Sequence, residues 1–188
     1  MKLSQVIFSA SFVLLLVLSG CESVDLSLVN QVKRFEPEWM NLSEKVSFID
    51  RNLRITHQRY DKDLEEVNPF ISDPGTAERN DLYGMRSQYR NMITERDAIQ
   101  KKFDDTKTNF VTSVNEFNEW QNKLMKKRLD QDKARIQLQE YRRTYQALYK
   151  EVDELQNQLM QNINQHNSLL RQITTALKLY TNYDINYR

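Results

Sequence analysis

Few side chains in this sequence are suited to catalysis or metal binding, and their spacing does not bring them together. The chain contains two histidines, His57 and His166, and one cysteine, Cys21. A zinc site needs three or four closely grouped nitrogen, sulfur or carboxylate ligands. Because no further histidine or cysteine lies near either histidine to complete such a group, the sequence predicts no metal site and no cofactor.

The adjacent acidic residues are equally unsuited to acid–base chemistry. Glu65 and Glu66 are neighbours in the sequence, as are Asp104 and Asp105. Neighbouring residues on a helix point to different faces, so neither pair can act on one substrate. The chain also lacks a glycine-rich phosphate loop and a nucleophile motif. We therefore expect a protein that is not an enzyme and that has no small-molecule substrate.

The elements that carry these residues are predicted to be long helices. From Leu82 to Tyr180 apolar residues recur with a 3.5-residue period, as in a coiled coil or a long helical bundle. After Gly84 there is no glycine and no proline to end a helix. Asn162 and His166 lie on the apolar stripe, where a buried polar layer would fix the register of the helices.

A second heptad pattern, over residues 24–67, predicts the first helix of the chain. Its one irregularity is Pro37, at which the helix either kinks or begins; the unbroken phase across Pro37 favours the kink. If the helix began there, residues 22–36 would form a tether. Asn68–Thr76 follows as the predicted loop, with two prolines, a glycine and candidate N-caps at Asp73 and Thr76.

Residues 77–180 are consistent with two architectures. In the first, the chain folds back near residue 129 to give an all-α, elongated antiparallel bundle of three long helices, and Arg96 lies opposite Asn162. In the second, one continuous helix of about 100 residues pairs with the first helix in a hairpin. The polar layer at Lys127 and Gln131 favours the fold-back, whereas the absence of glycine, proline, asparagine and serine from 123–156 opposes it. Bulky aromatic residues on the stripe favour the wider core of three or more helices.

Overall charge gives no indication of a nucleic-acid partner. The 27 basic and 26 acidic residues leave a formal charge of +1, which creates no field that would recruit DNA or RNA. Three glycines and three prolines in 188 residues are few for a fold with many turns. Composition therefore agrees with a small number of long helices.

The N-terminus carries the strongest functional signal. A basic start at Lys2 precedes an apolar run from Val6 to Leu18, which is too short to span a bilayer but suits a signal peptide. Leu18-Ser19-Gly20-Cys21 follows and resembles the lipobox of bacterial lipoproteins. The resemblance covers about 21 residues. It implies cleavage between Gly20 and Cys21, removal of residues 1–20 and a covalent lipid such as palmitate on Cys21.

The same resemblance implies a location in the bacterial cell envelope. Enterobacterial lipoproteins kept in the inner membrane have aspartate after the lipidated cysteine, and this chain has Glu22. In a host with two membranes we therefore expect the outer membrane, facing the periplasm. The mature chain, residues 21–188, is then a single helical domain, with the membrane as its first partner.

Two function classes remain open for the mature chain. One is a structural or adaptor protein that binds an envelope partner or copies of itself; the other resembles holdase-like periplasmic chaperones, whose helical arms enclose unfolded clients. Most apolar residues lie at core positions, which favours the adaptor. The candidate contact residues are three cations for the membrane surface, two residues of the loop and two in the C-terminal segment 181–188 for a protein partner: Lys126, Lys127, Arg128, Phe70, Ile71, Tyr183 and Tyr187.

Overall fold

Four helices account for nearly all of the chain that the structure describes. The structure is a computed structural model, and it describes residues 25–79, 82–126 and 129–177. The helices are α1 (Leu26–Ser72), α2 (Pro74–Arg79), α3 (Met85–Met125) and α4 (Gln131–Ala176). Within those ranges there is no strand, so the predicted all-α bundle is confirmed. The signal segment and the residues after 177 lie outside the described residues.

Helix α1 is one continuous helix through Pro37. Asp25 caps its N-terminus, where the carboxylate accepts hydrogen bonds from the backbone N–H groups of Ser27 and Leu28 at 2.9 and 3.4 Å. Pro37 is on the exposed side of the helix, where water can satisfy the carbonyl that loses its helical partner. The alternative in which the helix begins at Pro37 is therefore wrong for residues 26–36. Every core position of the predicted heptad is buried, from Leu28 to Val67.

The predicted loop at 68–76 is wrong except at Asp73, because α1 runs to Ser72 and α2 begins at Pro74. Helix α1 continues through Pro69 to Ser72 because Pro69 is also exposed, while Ile71 remains buried at 6% exposure. Asp73 then ends α1, and its carboxylate accepts a hydrogen bond from the N–H of Thr76 at 2.7 Å, at the start of α2. Asp73 thus acts as the predicted N-cap, whereas Thr76 does not.

The turn into α3 comes later than predicted, at Gly84. Its φ of 81° lies in the left-handed region that glycine enters most easily. Its carbonyl accepts the first backbone hydrogen bonds of α3, from Ser87 and Gln88, both at 3.1 Å.

The chain folds back between α3 and α4, so the continuous-helix alternative is wrong. Helix α3 ends at Met125, and Asp130 starts α4 by accepting hydrogen bonds from the N–H groups of Asp132 and Lys133 at 3.1 and 3.0 Å. An aspartate cap therefore begins the third long helix, although no glycine or proline is present. Asp130 was the signal in the sequence, together with Asp132 in the first turn of α4.

The three long helices pack against one another around one apolar core. Helix α3 is antiparallel to both neighbours: Phe117 packs on Tyr141 of α4 at 5.4 Å and on Phe35 of α1 at 5.6 Å between ring centroids. Phe117 and Tyr141 are equally distant in sequence from residue 129, as expected for a chain that folds back near that residue. Helices α1 and α4 are parallel, and Lys45 of α1 bonds Asp153 of α4 at 2.5 Å.

Candidate functional site

A buried polar layer crosses all three long helices in the half of the bundle near α2. At its centre His166 of α4 is fully buried, with Asp63 of α1 at 1% exposure and Tyr89 of α3 at 0%. The Tyr89 hydroxyl is 2.7 Å from Nε2 of His166, and Oδ2 of Asp63 is 3.4 Å from the same nitrogen. The Nε2 atom of His166 therefore contacts polar groups of both α1 and α3.

A second set of hydrogen bonds ties the same three helices together beside His166. The Tyr60 hydroxyl donates to Oδ1 of Asn162 at 3.0 Å, and Nδ2 of Asn162 donates to the Met92 carbonyl at 2.9 Å. The Tyr89 hydroxyl is also within 3.3 Å of the Tyr60 carbonyl. The predicted register-fixing role of Asn162 and His166 agrees with these contacts, since each residue reaches both other helices.

Two arginines bring positive charge to the edge of this layer. Nε of Arg59 donates to Oδ2 of Asp63 at 3.1 Å, so the buried carboxylate is paired. Arg96 is 3% exposed, and it donates to Asp97 at 2.8 Å and, more weakly, to the Thr56 carbonyl at 3.5 Å. The side-chain NH2 group of Asn162 donates to the carbonyl of Met92, one helical turn before Arg96 on α3.

The electrostatics of the layer keep Tyr89 protonated. Burial, and then the negative charge of Asp63, raises the pKa of Tyr89 far above its usual value near 10. A hydroxyl that holds its proton and is enclosed on all sides can neither attack a substrate nor exchange protons with one. The hydrogen bonds of this layer therefore hold α1, α3 and α4 in one alignment. Tyr60, Asp63 and Tyr89 were not identified from the sequence; the polar residues at core positions of α1, including Asp63, were the available signal.

An aromatic layer fills the other half of the bundle. The Phe35 ring meets the rings of Trp39, Phe117 and Tyr145 edge-on, with centroids 5.4 to 5.9 Å apart. The indole Nε1 atoms of Trp39 and Trp120 are buried without a hydrogen-bond partner in the part of the chain that the structure describes. Regular helical spacing and dense ring contacts explain these residues as core, as the sequence predicted.

The predicted contact residues fall into three groups. Lys126 is exposed and is the C-cap residue of α3, and Phe70 is 36% exposed on the last turns of α1. Ile71 is buried, so its prediction as a partner contact is wrong: helix α1 continues past Pro69 and turns this side chain into the core. The remaining candidates lie outside the described residues: Gly20, Cys21, Lys127, Arg128, Tyr183 and Tyr187.

His57 and the two adjacent acidic pairs lie on the surface of the bundle. His57 is exposed on the outer face of α1, so its imidazole does not join the polar layer around Asp63. Both acidic pairs, Glu65–Glu66 and Asp104–Asp105, are exposed as well. Over residues 25–79, 82–126 and 129–177, no group of three histidine, cysteine, aspartate or glutamate residues could hold a metal ion.

An open groove of about 370 Å³ lies between α3 and α4, outside the polar layer. Met92 and Leu169 are its buried apolar members, and Gln88, Glu95 and Gln165 are among its polar ones. The groove carries amides and one carboxylate, but no histidine, cysteine or basic residue. The Ser168 hydroxyl also lines the groove.

Comparison with known proteins found no match: no family, no curated protein and no solved structure is significantly similar to this chain. Among the described residues, no helix is both long enough and apolar enough to cross a bilayer.

Proposed function

We propose that the protein is a lipid-anchored bacterial envelope lipoprotein that acts as a structural or adaptor coiled-coil protein. The observation that carries the proposal is the position of the lipobox-like sequence Leu18-Ser19-Gly20-Cys21 directly ahead of the bundle. Only Glu22, Ser23 and Val24 separate Cys21 from Asp25, which caps α1. Acyl chains on Cys21 would hold one end of the bundle at a membrane. In a host with two membranes, this would be the periplasmic face of the outer membrane.

The packing supports an adaptor over a holdase-like chaperone. A holdase needs continuous apolar surface for unfolded clients, whereas here the core positions of all three long helices face inward. The large apolar side chains that remain exposed on the middle of the bundle, such as Met40 and Ile55, are separated along α1. Isolated exposed apolar residues are ordinary on a soluble surface.

The lipid anchor is tested by replacing Cys21. Cells that express the full chain are labelled with radioactive palmitate, and the wild type is compared with Cys21→Ser and with Val24→Ala as a nearby control. We expect label on the wild type and on Val24→Ala, and unlabelled, uncleaved precursor from Cys21→Ser. Label that survives on Cys21→Ser would refute the anchor.

The adaptor role is tested through the C-terminal segment that contains Tyr183 and Tyr187. Deleting residues 181–188 should leave helical content and melting temperature nearly unchanged, because the described bundle ends before them. We expect the deletion to weaken crosslinking to specific envelope proteins identified by mass spectrometry. Identical crosslinked partners and yields from both proteins would remove this segment from the proposed contact surface.

A further inference from the structure

Three large exposed apolar side chains lie at one end of the bundle, where α1 begins, α3 ends and α4 begins, whereas Phe70 and Tyr83 are exposed near the opposite end. We call the end where α1 begins the anchor-proximal end and define it by Leu26, Met125 and Ile136, which are 75%, 49% and 58% exposed. The ion pair between Arg135 and Asp25, at 2.5 Å, brings the start of α4 beside the start of α1. These three side chains therefore lie at the same end of the bundle.

The segment that joins α3 to α4 is more basic in sequence than the segment that joins α1 to α3. Residues 123–135 contain six basic and two acidic residues, whereas residues 73–90, at the other end, contain three of each. Lys123, Lys126 and Lys133 are exposed. Asp130 caps α4, and Asp25 caps α1 while it binds Arg135, whereas Asp132 is exposed in the first turn of α4, 3.8 Å from Arg135. The segment next to Met125 and Ile136 therefore carries an excess of basic residues in its sequence.

Chain length places the same end close to the predicted lipid. Four peptide units join Cys21 to Asp25, so their Cα atoms can be no more than roughly 15 Å apart in any conformation. The far end of α1 is about 70 Å away, from 47 residues at 1.5 Å each. An acylated Cys21 would therefore bring this end, and not the other, to the membrane surface.

We propose that the anchor-proximal end binds anionic phospholipid headgroups directly, an inference that rests on the proposed lipid anchor. Lys123, Lys126 and Lys133 would contact phosphate groups, while Leu26, Met125 and Ile136 enter the boundary between headgroups and acyl chains. The combination of apolar side chains with a surplus of cations fits an anionic lipid surface better than a second copy of the same basic end, which would repel it. The bundle then stands on the membrane in a fixed orientation.

Fluorescence quenching by labelled lipids tests this contact. The acylated protein with Ile136→Cys is purified from cells, labelled with bimane and placed in vesicles of phosphatidylcholine and phosphatidylglycerol, with or without brominated acyl chains. The lipid on Cys21 blocks that thiol from the dye. We expect bromine to reduce the emission at position 136 by about half, as for a side chain at the headgroup boundary. The matched control, Tyr83→Cys near the other end and 85% exposed, should stay unquenched.

Three results would overturn the inference. The first is equal quenching at positions 136 and 83, and the second is quenching at 136 that persists undiminished without phosphatidylglycerol. The third is disulfide crosslinking of two copies through Ile136→Cys in place of quenching.

Mass spectrometry of the same preparation reports whether Cys21 is acylated. An unacylated Cys21 refutes the proposed anchor, whereas an acylated protein with an unquenched label at 136 refutes only the headgroup contact.

Discussion

The imidazole of His166 stacks flat on the ring of Tyr60, with the ring centroids 3.9 Å apart and the planes 10° apart. This stacking joins α4 to α1 and presents the edge of the imidazole to α3, where the Tyr89 hydroxyl meets Nε2 at 2.7 Å. A shift of any one helix by a single residue would separate these groups and leave them buried without partners. The polar layer therefore specifies how the three helices align.

Removing the hydroxyl of Tyr89 should destabilise the bundle. We expect Tyr89→Phe to lower the free energy of unfolding by about 1 to 3 kcal/mol, because His166 loses a buried hydrogen-bond partner while the ring still fills its space. Urea denaturation of residues 22–188 followed by circular dichroism measures the change. Tyr83→Phe is the control, since Tyr83 is 85% exposed and should change stability by less than about 0.5 kcal/mol. Equal effects of the two substitutions would contradict the role of the layer.

The raised pKa of Tyr89 predicts a loss of stability in alkaline solution. In the unfolded chain the hydroxyl ionises near pH 10, whereas burial and the charge of Asp63 keep it protonated in the folded chain. The stabilising contribution is therefore complete below about pH 10 and is lost as the pH rises above that value. Unfolding free energies measured between about pH 8 and 11 should fall more steeply for the wild type than for Tyr89→Phe. Parallel curves would show that Tyr89 does not carry the effect.

Spin labels report the fold-back between α3 and α4 directly. Gln88 and Gln172 are exposed residues of the same interhelical groove, so labels there should lie within about 20 Å of each other. A continuous helix would separate them by roughly 126 Å, at 1.5 Å per residue. Labels at Gln88 and Arg143 provide a long reference distance of about 40 Å along the bundle. A distance between positions 88 and 172 that exceeds this reference would disprove the antiparallel pair.

Replacing Pro37 should stabilise α1. Pro37→Ala restores a backbone N–H for the Lys33 carbonyl and removes the clash of the proline ring with it, on the exposed side of the helix. We expect the unfolding free energy to rise by about 1 to 3 kcal/mol. Glu38→Ala, also exposed, is the control for a surface change at the neighbouring position. A lower stability for Pro37→Ala would mean that the aromatic layer around Phe35 and Trp39 depends on a bend at the proline.

Heptad spacing was sufficient to predict the core face of α1, because burial of an apolar stripe outweighs local preferences. It placed Leu28 through Val67 in the core and kept α1 continuous across Pro37. The same rule extends to Pro69, whose exposed position lets water replace the lost hydrogen bond, so the prolines of 68–76 led to a wrong prediction for the end of α1. Local proline content was thus a weaker guide than the phase of the stripe.

The polar contacts were harder to predict, since they depend on the register between helices. His166 and Asn162 were recognisable as polar residues on an apolar stripe, but their partners lie 70 to 106 residues away in the sequence: Asp63, Tyr60, Tyr89 and Met92. One sequence contains no information that pairs Asp63 with His166 until α1 and α4 are aligned. The cap at Asp130, by contrast, is a local signal and was present in the sequence.

The chain runs along the bundle three times, once in each long helix. It therefore starts at one end, at Asp25, and α4 ends at the other, at Ala176. The two ends are about 69 Å apart, because α4 has 46 residues that rise 1.5 Å each. With Cys21 in a membrane, whatever binds the residues after Ala176 would be held at a set height above the lipid. The length of the bundle then sets this height. That length can change in evolution only when all three helices gain or lose residues together, since an insertion in one helix would move its polar residues out of the shared layer.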